Sequence, residues 1–272
     1  MEGTDDIMGI ALTCVYHAAG WCFGYWGLRQ LVYLLSFLAW PHDAKGLDSP
    51  MRGLSSNKRL FLASRFGAML HALVSAGMCG YILWLKAAQY GDDSDGTLAW
   101  LAAIYRAPRD QWIWVIDHSI GYFINDLLYC LVNEPDPLFM AHHSGYLLGT
   151  VPSRLAPCGW MLIVIATVMA EATNPLQITW QTARDFNRST LYEALSLPFT
   201  IAFVTMRVGG LSLYVFHTGL SIFLLDAWPG WPMAWTWLAF VFGWLAGMLW
   251  TRDLVMGYIK HQKSGKNAKK TG

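Results

Sequence analysis

Seven long apolar stretches run through this chain of 272 residues, and they constrain its fold more than any other feature. A helix needs about 20 mainly apolar residues to cross the hydrocarbon core of a bilayer. Only 14% of the residues are charged, against about 25% in an average soluble domain. The pattern predicts an all-α, polytopic membrane protein and excludes a disordered chain, a coiled coil and an ordinary soluble enzyme. The stretches are residues 8–40, 60–85, 112–132, 138–151, 158–172, 192–225 and 232–258.

Some of these stretches need comment before they are assigned as spans. The fourth and fifth are shorter than about 17 residues, so polar neighbours extend them or they pack against protein instead of lipid. No basic residue precedes the first stretch, so we expect no cleaved signal peptide and interpret that stretch as a membrane helix. The five cysteines lie in or beside apolar stretches, and we expect them to act as small hydrophobic residues.

The distribution of lysine and arginine predicts the orientation of the chain. If the N-terminus is lumenal and the chain crosses seven times, the cytosolic segments hold twelve basic residues and the lumenal loops hold four. Basic residues favour the cytosolic side, so we expect a lumenal N-terminus and a cytosolic C-terminus. Only residues 133–141 fit weakly, because this cytosolic loop has no basic residue. The orientation also predicts that Asn187, in the sequon Asn187-Arg188-Ser189, carries no glycan.

Ionisable side chains inside the stretches cost about 3 kcal/mol each at the bilayer centre, so each needs a reason. In the predicted topology, Asp126, the pair His142–His143 and Glu171 lie at one depth on three consecutive helices. We expect three other ionisable residues to lie at the interface or to be paired: Arg29, Arg65 and Asp117.

Carboxylates beside imidazoles form a combination with catalytic potential. Adjacent histidines on a helix point about 100° apart, so one can face a cavity while the other packs against a neighbouring helix. A carboxylate fixes the tautomer of an imidazole and raises its basicity, which suits a general base or an acyl-accepting nucleophile. A polar cluster that merely holds helices together would have the same composition. The eight histidines form only one adjacent pair, so we expect no catalytic metal.

Around these residues the sequence resembles the TLC domain (TRAM, Lag1 and CLN homology), over about residues 57–258. The elements that carry the resemblance are Arg65 to Ala72, Gly121-Tyr122-Phe123-Ile124-Asn125-Asp126, His142-His143, Glu171-Ala172-Thr173-Asn174-Pro175 and Arg207. The family implies a bundle of six transmembrane helices around a central cavity that accommodates lipid, after one preceding helix, in the endoplasmic reticulum. Residues 1–56 would then hold the first helix and a cytosolic loop, and residues 259–272 a basic cytosolic tail. Lys269-Lys270 resembles a dilysine retrieval signal.

The resemblance also implies roles for individual residues. Ceramide synthases of this family transfer an acyl chain from acyl-CoA to a sphingoid amine and use paired histidines. By this resemblance, His142 and His143 are the catalytic pair and Asp126 is their partner. Three further residues line or brace the cavity: His71, Glu171 and Arg207. The chain departs from the ceramide synthases at residues 170–174, where Ala-Glu-Ala-Thr-Asn replaces a His-Asp-x-Ser-Asp element. That form is similar to the TLC-domain-containing transmembrane branch, which is linked to lipid homeostasis and membrane phospholipid composition.

Two functions remain open from the sequence. The first is a histidine-dependent acyl-CoA N-acyltransferase that makes ceramide-like lipids, with acyl-CoA as co-substrate and no other cofactor. The second is a non-enzymatic protein that binds or senses membrane lipid and controls membrane phospholipid composition or trafficking. A seven-helix receptor fits the span count but leaves the polar layer unexplained. The expected partners are membrane lipid, acyl-CoA and a long-chain amine, and we expect no nucleic acid.

Overall fold

A computed structural model describes residues 2–39, 56–91, 103–133, 135–156, 158–224 and 231–268. This described part is built from α-helices and contains no strand beyond an isolated bridge between Pro108 and Cys158. The predicted all-α fold class is therefore confirmed. The helices are α1 (Glu2–Ala39), α2 (Ser56–Gly91), α3 (Trp114–Asn133), α4 (Pro137–Ser153), α5 (Trp160–Glu171), α6 (Asn174–Asp185), α7 (Ser189–Val204), α8 (Leu211–Leu224) and α9 (Trp231–Ala268), with a π-helical segment at Thr205–Gly210.

Four helical segments of the described part are long and apolar enough to cross a membrane. They are Asn57–Gln89, Trp160–Asp185, Ser189–Leu220 and Met233–Lys260. Several spans of this kind make the chain a multi-pass membrane protein. The number of seven spans stays a prediction. Lys269 and Lys270 lie outside the described residues.

The fifth predicted stretch ends at residue 172, close to the observed end of α5 at Glu171, but the candidate membrane span continues to Asp185. After a turn at Ala172–Thr173 the chain continues as α6, and Pro175 lies in the first turn of that helix, where a proline costs no hydrogen bond. The sequence pattern missed α6 because its inward face is polar: Asn174 and Gln181 line a cavity instead of contacting lipid. The continuously apolar sequence therefore ends near residue 172, whereas the candidate span continues through α6 to Asp185.

The start of α4 is fixed by a local signal that sets the position of the histidine pair. The carboxylate of Asp136 accepts hydrogen bonds from the backbone N–H groups of Leu138 and Phe139, at 2.9 and 3.0 Å, and Pro137 follows it. An aspartate cap followed by proline is a strong helix start. His142 and His143 consequently lie in the second turn of α4.

A buried ion pair joins Asp117 of α3 to Arg154, the residue that follows α4. The carboxylate of Asp117 is fully buried and accepts hydrogen bonds from Arg154 Nε at 2.6 Å and Nη2 at 3.1 Å. His17 Nδ1 of α1 lies 3.2 Å from the same carboxylate. The expectation that Asp117 is paired is confirmed, and Arg154, expected in a lumenal loop, is itself buried because it neutralises this charge.

The other two residues expected at the interface or in pairs, Arg29 and Arg65, have polar and acidic neighbours. Arg29 donates a hydrogen bond to the side-chain oxygen of Asn125, and Arg65 donates to Gln181 and lies 3.5 Å from Asp185. None of the five cysteines forms a disulfide in the described part of the chain, and Cys14, Cys79 and Cys130 are buried, as expected for small hydrophobic side chains.

Candidate functional site

A cavity of about 570 Å³ lies between the helices, within the size range of small-molecule sites. Residues of α2, α3, α4, α6, α7 and α9 line it, together with the end of α5 and the π-helical segment. Exposed residues at one end, Asp136 and Arg184, connect it to the outside. Five of the six predicted site residues are among its lining: Asp126, His142, His143, Glu171 and Arg207.

His143 is held on both sides of its ring. Its Nδ1 lies 2.8 Å from the carbonyl oxygen of Phe139, and its Nε2 lies 3.0 Å from Oδ2 of Asp126. A carbonyl oxygen only accepts, so Nδ1 carries a proton. The contact between Nε2 and the carboxylate then requires a second proton, on one atom or the other. His143 and Asp126 therefore form a buried, hydrogen-bonded pair.

His142 differs from its neighbour because it lacks such partners. Its Nδ1 is buried and has no hydrogen-bond partner among the described residues. The ring meets His143 edge to face, with centroids 5.6 Å apart, and Trp250 of α9 at 5.0 Å. A buried polar atom without a partner is unfavourable, and such atoms occur where a ligand or a reaction uses them. Of the two histidines, His142 is thus the one with a ring nitrogen that has no partner among the described residues.

Glu171, Asn174 and Arg207 form a second polar group in the cavity wall. The side-chain N–H of Asn174 donates to Oε2 of Glu171 at 2.8 Å, and Nη2 of Arg207 donates to the carbonyl oxygen of Ala170 at 2.7 Å. Nε of Arg207 has no partner among the described residues. Arg207 lies in the π-helical segment, an element that is often found at functional sites. The group offers both a carboxylate and a cation to the cavity.

His71 does not line the cavity. Its ring stacks on the ring of Tyr122, with centroids 3.8 Å apart, and Tyr122 forms part of the wall. Behind it, the Ser75 hydroxyl lies 3.2 Å from Nδ1 of His71. Tyr25 of α1 contributes a hydroxyl 2.7 Å from Nε2 of His118. Of the two positions expected for His71, lining or bracing the cavity, the structure places it in the second.

Some cavity residues were not predicted. Trp250 and Tyr122 carry no charge, and nothing in their spacing distinguishes them from other aromatic residues of a membrane helix. Asn174 and Gln181 lie beyond the apolar stretch, where the sequence predicted a loop. No group of three metal-ligating side chains is present in the described part of the chain.

A comparison with protein families matches the profile of the TLC domain over residues 62–256. The chain belongs to the TLC domain family. The match covers more than half of the chain and includes every residue of the cavity wall named above, so the resemblance to this family is confirmed. This TLC protein is accordingly a membrane protein linked to lipid metabolism. Comparisons with curated proteins and with solved structures find no match.

Proposed function

We propose that this TLC protein is a histidine-dependent acyltransferase that joins the acyl group of an acyl-CoA to a long-chain amine and so makes a ceramide-like lipid. One observation carries the proposal: His142 lines the cavity beside the hydrogen-bonded pair of His143 and Asp126, and its Nδ1 has no partner among the described residues. An imidazole with an available nitrogen can attack an acyl donor or deprotonate an amine.

The two histidines have different roles in this proposal. Both nitrogens of His143 are engaged, one by the Phe139 carbonyl and one by Asp126, so His143 is a positioning residue. It holds the start of α4 against α3. His142 is the residue that contacts the substrate.

The proposed reaction has two steps that balance. In the first, the lone pair of one ring nitrogen of His142 attacks the thioester carbonyl carbon, an N–C bond forms and the C–S bond breaks. CoA leaves as a thiolate and takes the proton from the other ring nitrogen of His142. In the second, the amine nitrogen attacks the acyl-imidazole, the amide bond forms and the bond to His142 breaks. The proton lost by the amine replaces the one taken by CoA. The sum is acyl-CoA plus amine giving amide plus CoA thiol.

The remaining charges of the cavity fit the two substrates. Arg184 is half-exposed at the open end and Arg65 lies deeper, so both can attract the phosphates of CoA. Glu171 and Asp126 can attract the ammonium form of a long-chain amine further inside. The donor and the acceptor would thus meet at His142 from a common entrance.

The proposal is tested with the purified protein in lipid nanodiscs, incubated with palmitoyl-CoA and sphinganine, with the N-acyl product measured by mass spectrometry. We expect product from the wild type and at least a thousandfold less from His142→Ala. The matched control is His217→Ala, which removes a histidine that pairs with Tyr105 outside the cavity and should leave the rate within twofold. Product from His142→Ala at the wild-type rate would refute the assignment.

A second candidate, binding of a lipid headgroup without catalysis, has its own supporting observation. Nε of Arg207 is buried and has no partner among the described residues, and a guanidinium in that state suits an anionic headgroup. If the wild type forms no product but copurifies with phospholipid, and Arg207→Gln loses that lipid while His142→Ala keeps it, the protein is a lipid-binding member of the family. Lipidomics of cells that express wild type or the His142→Ala/His143→Ala variant makes the same distinction in vivo.

We further propose seven spans, six of which form the TLC bundle around the cavity, in the endoplasmic reticulum membrane. The bias of twelve basic residues against four supports a lumenal N-terminus and a cytosolic C-terminus. In that orientation the open end of the cavity, near Asp136 and Arg184, faces the cytosol, where acyl-CoA is present.

A further inference from the structure

Two buried side chains of opposite charge, Glu171 and Arg207, line the cavity without pairing with each other. Each residue is 5% exposed, and no ion pair in the described part of the chain includes either of them. The two charges are close enough to interact electrostatically. By contrast, the buried charges of Asp117 and Arg154 meet directly at 2.6 Å. A buried charge without a direct counter-charge is costly, so the separation of Glu171 from Arg207 needs a physical explanation.

The side chain of Asn174 lies between the two charges. Its N–H donates to Oε2 of Glu171 at 2.8 Å, and its oxygen lies 3.5 Å from Nη2 of Arg207. Glu171 has no other side-chain hydrogen bond to the described residues. A single amide group therefore spans the gap between carboxylate and guanidinium, and a ligand that bridges them needs its own two charges only a few bonds apart.

The guanidinium of Arg207 has donors left for such a ligand. Nη2 donates to the carbonyl oxygen of Ala170 at 2.7 Å, and the guanidinium carbon lies 5.4 Å from the ring centroid of Phe203. Nε has no partner among the described residues. A guanidinium binds phosphate through the N–H groups in its plane, so Arg207 is suited to the anionic part of the ligand.

Both charges also lie beside the histidine pair. Arg207 is within electrostatic range of His142, and Glu171 is within electrostatic range of His143. A headgroup held by Glu171 and Arg207 is therefore next to the two histidines.

Membrane lipids carry a suitable pair of charges where a phosphate ester and an amine are on neighbouring carbons. The bonds P–O–C–C–N then link the two groups, and with bonds of about 1.5 Å the phosphorus and the nitrogen stand about 4–5 Å apart. A phosphodiester has one negative charge and an ammonium has one positive charge. Such a headgroup therefore gives each buried side chain a counter-charge and leaves the site neutral as a whole.

We propose that Glu171 and Arg207 bind the headgroup of a lipid that carries a phosphate ester and a primary amine on neighbouring carbons. Arg207 binds the phosphate, and Glu171 binds the ammonium. In naming this lipid as the acyl acceptor, the inference rests on the proposed acyl transfer. The ammonium gives one proton to the carboxylate of Glu171, which later releases it to water, and the neutral amine attacks the acyl group on His142. A trimethylammonium group is excluded as acceptor, because its nitrogen has no hydrogen to lose.

The test measures lipid binding to the purified full-length protein in detergent by native mass spectrometry, with two matched pairs of lipids. Dioctanoyl phosphatidic acid and dioctanoyl phosphatidylethanolamine differ by the aminoethyl group, and sphinganine and sphinganine 1-phosphate differ by the phosphate. We expect the member with both charges to bind at least about tenfold more tightly, because each buried charge then gains a partner. The tighter of the two preferred lipids identifies whether the natural source is a phosphodiester or a phosphorylated long-chain amine.

Two variants assign the preferences to individual residues. Arg207→Gln should abolish the preference for the phosphate, and Glu171→Gln should abolish the preference for the amine, because glutamine keeps the hydrogen-bonding capacity and removes the charge. The matched controls are Arg188→Gln and Glu193→Gln, which make the same changes at exposed positions outside the cavity lining. Both controls should bind all four lipids within about twofold of the wild type.

Equal binding within both pairs of lipids would overturn the inference, and this comparison needs only the wild type, so it decides even if a variant fails to fold. Retention of both preferences in folded Arg207→Gln and Glu171→Gln would overturn it as well. The test is separable from that of the proposed function, because binding requires no acyl-CoA. The expected preferences without amide product would reject the acyl transfer and keep the headgroup site, and amide from sphinganine without either preference would do the reverse.

Discussion

The contact between α1 and α3 depends on one glycine, and replacing it should destabilise the protein strongly. In Gly121→Ala, the new Cβ atom would stand 2.5 Å from Cβ of Trp21, 2.6 Å from the carbonyl oxygen of Ala18 and 3.0 Å from the backbone nitrogen of Cys22. Ordinary contacts between carbon atoms are about 3.5–4.0 Å. Two of the three atoms belong to the backbone, so no side-chain rotation relieves the overlap. Helix α1 must move away by about 1 Å.

The magnitude follows from what that movement disturbs. Overpacking alone costs about 1–3 kcal/mol. The same interface holds the hydrogen bonds from Asn125 to the Cys22 carbonyl at 3.1 Å and between Tyr25 and His118 at 2.7 Å, each worth about 1 kcal/mol. A separation larger by 1 Å breaks both, so we expect a loss of about 3–5 kcal/mol in the free energy of unfolding. At about 2 °C per kcal/mol for a chain of this size, Tm falls by about 6–10 °C.

The assay is thermal unfolding of the purified protein in detergent, followed by tryptophan fluorescence. Gly24→Ala on α1 is the control: its Cβ atom meets nothing within 4 Å, and alanine favours the helix by up to about 1 kcal/mol. Its Tm should be equal to that of the wild type or higher. A Tm of Gly121→Ala within 2 °C of the wild type, or an equal fall in Gly24→Ala, would refute the steric argument.

Three further predictions concern charges and topology. Asp117→Asn should lower the free energy of unfolding by about 3–5 kcal/mol, because it leaves the buried Arg154 without its counter-charge. Adding Arg154→Met should restore part of the Tm, and a further fall in Tm would contradict a coupled pair. The Asp126→Asn variant should fold and form less amide, with no further loss of activity when His143→Ala is added, since the two residues act as a unit. Losses of activity that simply add would assign Asp126 to helix packing. Asn187 should carry no glycan when the protein is expressed in a eukaryotic cell, and a mass shift on glycosidase treatment at this sequon would reverse the orientation.

The sequence predicts the helices well because lipid imposes a length and an apolarity that single helices must satisfy. It also predicts that Asp126, His142, His143 and Glu171 approach one another, because each lies near the same end of its stretch. Charges that are costly in the bilayer have few sites in which they can be accommodated, so their depth along the helix carries information about tertiary structure.

Other parts of the site depend on how helices pack, which no local pattern encodes. The spacing of two adjacent histidines cannot tell which one meets Asp126, because the rotation of α4 about its axis decides that. The place of His71 behind Tyr122 depends in the same way on the approach of α2 to α3. The sequence pattern did not predict α6, because a helix that faces a polar cavity lacks the continuous apolar pattern of a membrane span.

The most direct test of the central claim is to look for the acyl group on His142 itself. The purified wild-type protein is mixed with palmitoyl-CoA in the absence of amine, quenched rapidly in acid and analysed by peptide mass spectrometry. We expect the mass of one palmitoyl group on the peptide that contains His142, absent in His142→Ala and discharged to amide when sphinganine is added before the quench. An acyl group found on His143 instead, or amide product with no acylated histidine at any quench time, would contradict the account.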